Sequence, residues 1–153
     1  MERMKFAALI LVLGVVLAGC DETVPPATLF TFATFCTAEN NNQRVGLEGY
    51  AYVPLSLLVS DTMSLNLHEL PDRGGAVVSF DITVGNGNNM AVEPPNNFTD
   101  ADLLIRATDG TQIRSVNRIR VEGKLQYNPT GSAPSRFDCK LSTPTRVYTL
   151  AAE

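Results

Sequence analysis

The 153-residue chain contains a single histidine, His68, and three cysteines, Cys20, Cys36 and Cys139. A Ser-His-Asp site would have to use His68, and no Gly-x-Ser-x-Gly elbow presents a serine to it. Ser-x-x-Lys is missing too, and with it the penicillin-binding type of nucleophile. There is no Cys-x-x-Cys pair, and one histidine without ligand-like neighbours does not make a metal set. Gly85-Asn86-Gly87 is not followed by Gly-Lys-Ser/Thr, which removes a phosphate loop. Positive charge is not in excess: 12 Lys and Arg against 16 Asp and Glu give a net charge of −4. General nucleic-acid binding needs basic surface to neutralise phosphates, so nucleic acid is not an expected partner. The uncharged run from Phe6 to Gly19 is fourteen residues long, where a bilayer-spanning helix needs about 20.

That short run begins just after Arg3 and Lys5 and ends in Leu17-Ala18-Gly19-Cys20. A positive start, an apolar centre and small residues at the cut form the secretory pattern. Leu-Ala-Gly-Cys resembles the lipobox of bacterial lipoproteins, whose cysteine receives a diacylglyceryl group and becomes the new N-terminus. The resemblance covers residues 1–20 and implies a signal peptide at 1–19 and lipidation of Cys20. It also implies a lipid anchor in a bacterial cell membrane, facing the periplasm or the exterior. Two acyl chains make a stable anchor where one is marginal. Asp21 directly after the cysteine favours the inner membrane under the sorting rule of enteric bacteria. Asp21, Glu22 and Pro25-Pro26 read as the start of a solvated tether, drawn here over residues 20–43. An ordinary secretory signal and an uncut anchor helix are the alternatives. Loss of residues 1–19 removes Glu2, Arg3 and Lys5, moving the charge to −5 and leaving 134 residues, a common size for one domain.

With Cys20 assigned to lipid, Cys36 and Cys139 are expected to form one disulfide in an oxidising compartment. Two free thiols with metal or redox roles are the rival reading. From Val24 to Gln43 the pattern is ambiguous, because Phe30, Phe32, Phe35 and Cys36 suit a helix face as well as a strand start. A single β domain is then expected over 44–153. Strands are read at about Arg44 to Val53, where Pro54 ends the run, and at Met63 to His68. Val78, Phe80, Ile82 and Val84 alternate with Ser79, Asp81 and Thr83, which predicts a strand with one buried and one wet face. Asn- and Pro-rich segments after Gly85 mark a long irregular connection. Leu103–Ala107 and Thr111–Arg114 flank Asp109-Gly110, read as a two-residue hairpin turn with both positions at positive φ. Ile119 to Tyr127, Phe137–Leu141 and Arg146–Leu150 complete the set, with Pro144 as a bend. Short strands, frequent turns and no long helix indicate an all-β antiparallel barrel or sandwich.

Val45-Gly46-Leu47-Glu48-Gly49-Tyr50 early, Val121-Glu122-Gly123-Lys124 before the last strand, and a closing strand from Cys139 are similar to the OB-fold. The resemblance implies a small antiparallel barrel over roughly Arg44 to Leu150, with glycines where strands must coil tightly. The extra Leu103–Arg114 hairpin departs from a five-strand pattern, and an immunoglobulin-like β-sandwich is the alternative.

Arg118, Arg120 and Lys124 are predicted on one side of a strand, preceded by Arg106 and Arg114, as a binding face for an anionic glycan, a lipid headgroup or a protein patch. The competing reading is a solvated face whose Glu122 pairs with its neighbours. Tyr50, Tyr52 and Tyr127 suit either sugar stacking or the core edge. His68 reads as a surface or rim residue. Asp100 and Asp102 read as turn caps, with a weak Ca²⁺ site as the alternative. The functional expectation is a membrane-anchored, non-catalytic binding or adaptor module for an envelope protein or glycan, with no cofactor or metal. An envelope enzyme or accessory subunit using Asp81, Asp100 and Asp102, and a purely structural lipoprotein, are the alternatives.

Overall fold

The computed structural model describes residues 24–131 and 138–151. Five long strands form a closed barrel: β2 (Arg44–Tyr52), β3 (Thr62–Leu70), β4 (Gly74–Val84), β8 (Arg118–Tyr127) and β9 (Cys139–Thr149). The first seven residues of β2 pair with β8, from Arg44↔Lys124 to Tyr50↔Arg118, and its last three pair with β3. β3 pairs with β4, and β9 with β8, both antiparallel. Closure comes from β4 against β9, which run parallel at Ser79↔Lys140 and Phe80↔Leu141. The fold is therefore all-β and OB-fold-like, and the five barrel strands are antiparallel except at this seam. A sandwich would have left the sheet open.

Alternation along the strands builds the interior. Leu47, Met63, Leu65, Leu67, Phe80, Ile82, Ile119, Val121, Leu125 and Leu141 are all fully buried in one continuous cluster. Burying such side chains stabilises the fold by about 1.5–3 kcal/mol each. The glycines mark where backbones approach too closely for a side chain. A Cβ on Gly49 would lie 2.3 Å from the carbonyl oxygen of His68, where β2 passes from β8 to β3. On Gly123 it would meet Leu141 and Ser142. There Glu122 pairs with Arg146 while Lys124 pairs with Ser142, so Thr143, Pro144 and Thr145 bulge opposite that single glycine. The two expected closing strands are thus one, β9, with the proline placed in a bulge where its missing N–H is harmless. Phe137 lies outside the described residues, as do the signal peptide, Cys20 and Asp21.

The connection after Gly85 is a small meander. β5 (Met90–Ala91) extends the sheet beside β4, and β6 (Ile105–Arg106) and β7 (Gln112–Ile113) follow antiparallel. The Asp109-Gly110 hairpin forms, but of its two turn residues only Gly110 has positive φ, at 84°. Gly110 N–H donates to the Ala107 carbonyl and Ala107 N–H to that of Thr111. This is a longer loop with a left-handed glycine after the turn. Asn89 anchors the meander to β9, accepting from Val147 N–H and Thr108 Oγ1, both at 2.8 Å.

Much of the segment expected to be tether lies on the barrel. β1 (Thr28–Leu29) runs parallel to β2 at Val45-Gly46. Phe35 is buried, and Phe30 and Phe32 pack against the core. Cys36 is joined to Cys139 by a disulfide across a separation of 103 residues, with Cα atoms 5.7 Å apart. Asn42 and Gln43 continue the pairing with β8 through Leu125.

Gly49→Ala is expected to lower the unfolding free energy by about 2 kcal/mol or more, since backbone must move to admit the methyl group. Gly131→Ala, with nothing within 4 Å of its would-be Cβ, should change stability by less than about 0.5 kcal/mol. Urea titration of the two variants checks the contrast.

Candidate functional site

Arg118, Arg120, Glu122, Lys124 and Gln126 share the outer face of β8, since the residues between them are buried. The structure brings the three predicted cations onto one strip but divides the strip in two. Glu48 of β2 sits opposite Arg120. Its carboxylate accepts from Arg120 Nε and Nη2 at 3.1 and 2.8 Å and from Arg118 Nη2 at 3.4 Å. Exposed pairs of this kind contribute about 0–1 kcal/mol to stability, but they cancel much of the local charge. At the other end, Arg44, Lys124 and Arg146 surround Glu122. Arg44 has a side chain only 9% exposed, lies 3.7 Å from Glu122 and donates to the Pro144 carbonyl at 2.7 Å. Burial lowers its pKa, with Glu122 opposing and Arg146 reinforcing the shift. Lys124 and Arg146 have no ion-pair partner among the described residues. Arg106 and Arg114 lie on or beside the meander, away from this strip, and Arg114 donates to the Ala101 carbonyl.

A second surface lies on the outer face of β3 and β4. Asn66, His68, Val77 and Ser79 line a groove there, with Arg73, Lys140 and Leu55 at its border. Leu55 belongs to the β2–β3 loop, where it is 98% exposed and Leu58 is 89% exposed. These are the two most exposed large apolar side chains among the described residues. Sequence reasoning missed them. Their signal was a run of leucines between Pro54 and Asp61 that follows neither strand nor helix period.

The remaining candidates are engaged in structural contacts. Asp100 is clamped by Arg73, which donates through Nε and Nη2 at 3.1 and 2.7 Å, and it accepts from Val53 N–H. Arg73 also donates to the Val53 carbonyl and stacks over Tyr52. Asp102 caps its turn by accepting from Thr99 N–H and Oγ1. Asp81 pairs with Lys140 at 2.8 Å and accepts from Ser64. No group of three or more His, Cys, Asp or Glu able to hold a metal ion exists among the described residues. Tyr52 is buried against His68 and offers no free face for sugar stacking, and Tyr127 is partly buried against the core.

His68 lines the β3–β4 groove with its side chain largely buried, and neither ring nitrogen reaches a hydrogen-bond partner. Burial, followed by the nearby Arg73 guanidinium, holds its pKa below the ordinary 6.5, against weaker opposing effects of the Arg73 and Gly74 backbone and of Asp100. No family model matches the chain, and no curated protein matches it.

The unfolded chain protonates its histidine near pH 6.5, while the folded chain resists until lower pH. Stability contributed by neutral His68 is therefore full above about 6.5 and lost as pH falls through the window down to the folded pKa. His68→Phe should unfold within about 1 kcal/mol of the parent at pH 7.5, because no hydrogen bond is lost. It should also flatten the decline in stability between pH 7 and 5.5, read by denaturant titration at each pH.

Proposed function

We propose that this chain is a lipid-anchored, non-catalytic binding module of the bacterial envelope that grips a protein partner through its β2–β3 loop. The lipobox-like Leu17-Ala18-Gly19-Cys20 supports the anchor, and the barrel supplies a rigid platform for the loop. The observation that carries the binding reading is the exposure of Leu55, at the border of the β3–β4 groove, and of Leu58 in the same loop. OB-fold-like barrels offer this strand pair and this loop to ligands. Two leucines held in water are a hydrophobic anchor awaiting cover, and interfaces are commonly built from an apolar centre with polar surroundings. Here Asn66, Ser79 and Lys140 supply the polar surroundings. A protein is favoured over a glycan because the nearest tyrosine, Tyr52, is buried. No helix among the described residues is long and apolar enough to cross a membrane.

Each leucine buried on binding contributes about 1.5–3 kcal/mol, or roughly tenfold or more in affinity. Leu55→Ser/Leu58→Ser should therefore abolish a crosslinked protein partner captured from the native envelope while circular dichroism shows an intact barrel. Capture of the same partner at an unchanged level would place the interface elsewhere.

A further inference from the structure

The lower half of the basic strip lies where the chain joins the barrel. Val24, the first described residue, lines one groove with Pro25, Pro26, Lys124 and Pro144. Cys20 is four residues upstream, a reach of at most about 14 Å even when fully extended. The docking of β1 on β2 leaves no further slack, because Thr28 is already fixed opposite Val45. A barrel tied this closely to a bilayer must turn one side toward the headgroups. The side within reach carries Lys124, exposed, and Arg146, half-buried, over the Arg44–Glu122 pair.

We infer that this Lys124–Arg146 edge seats on anionic phospholipid headgroups and so sets the orientation of the barrel on its membrane. The inference rests on the lipid-anchor reading. The acyl chains do the holding, so the cations need only bias rotation about a short tether, and two charges suffice for that. The attraction acts within a Debye length of about 8 Å of the surface. Asp21 and Glu22, between Cys20 and the barrel, are the competing partners for these cations. Along β8, Arg118 is six residues from Lys124, roughly 20 Å farther from the membrane edge.

The test uses the full protein extracted from its membrane, with a fluorophore on Gln126→Cys, an exposed position on the same face as Lys124. With Cys20 acylated and Cys36–Cys139 oxidised, the introduced thiol is the one that reacts. Reconstitution is into phosphatidylcholine vesicles with and without phosphatidylglycerol, each carrying a headgroup quencher. The expected result is strong quenching at 126 only with phosphatidylglycerol, lost in Lys124→Gln/Arg146→Gln, and little quenching of a probe on Val116→Cys in either lipid. Vesicle-bound protein whose quenching at 126 ignores lipid charge overturns the inference, leaves the anchor standing and points to Asp21 and Glu22 as the partners. Protein that fails to stay with the vesicles overturns both.

Discussion

Closure of the barrel depends on a short parallel seam. β4 and β9 meet over two residue pairs, whereas β2 and β8 meet over seven. Parallel pairing is also slightly less stable per residue than antiparallel. Side chains reinforce the seam from several directions. Cys139, the first residue of β9, is joined to Cys36. Lys140 pairs with Asp81, and Thr145 donates to the Asp81 carbonyl. Farther along, where β4 and β9 separate, Asn89 and Thr108 bond to Val147 and the meander fills the gap. The disulfide closes a loop of the size for which chain entropy gives about 4.7 kcal/mol, an upper, model-dependent figure. Because the seam is closed, the five barrel strands present no long exposed edge among the described residues.

A closed barrel gives every outward residue a fixed address, and the functional reading depends on those addresses. β8 carries one charged strip whose two ends have different neighbours. At Arg118 and Arg120 the register of β2 brings Glu48 alongside, and the charges are largely satisfied. At Lys124 the same register brings Arg44, the bulge of β9 adds Arg146, and Val24 to Pro26 lie beside Lys124. The leucine loop belongs to another connection and another face. In the proposed reading, lipid meets one of these sides and a protein the other, with the sheet between them.

The strands were legible because a half-buried sheet imposes period two, and Met63 to Leu67, Val78 to Val84 and Ile119 to Leu125 follow it. Gly49 and Gly123 were legible as tight places, since a small barrel needs them. Other features depend on contacts that sequence spacing does not encode. The Phe30–Cys36 segment has no clear period because it is fastened by β1, by buried Phe35 and by the disulfide. Pro144 read as a bend between two strands because the bulge that accommodates it is opposite Gly123 on another strand. The basic strip looked stronger than it is because Glu48 lies 70 residues from Arg118 in sequence. Leu55 and Leu58 went unnoticed because aperiodic leucines in a loop look like ordinary core residues until their exposure is known.

The intact mass of the protein taken from its native envelope tests the central claim most directly. The account predicts a chain beginning at Cys20, heavier by a diacylglyceryl group and lighter by the two hydrogens lost in joining Cys36 to Cys139. A mass that retains residues 1–19, or one that shows Cys20 without acyl chains, would contradict the anchored module on which the functional reading stands.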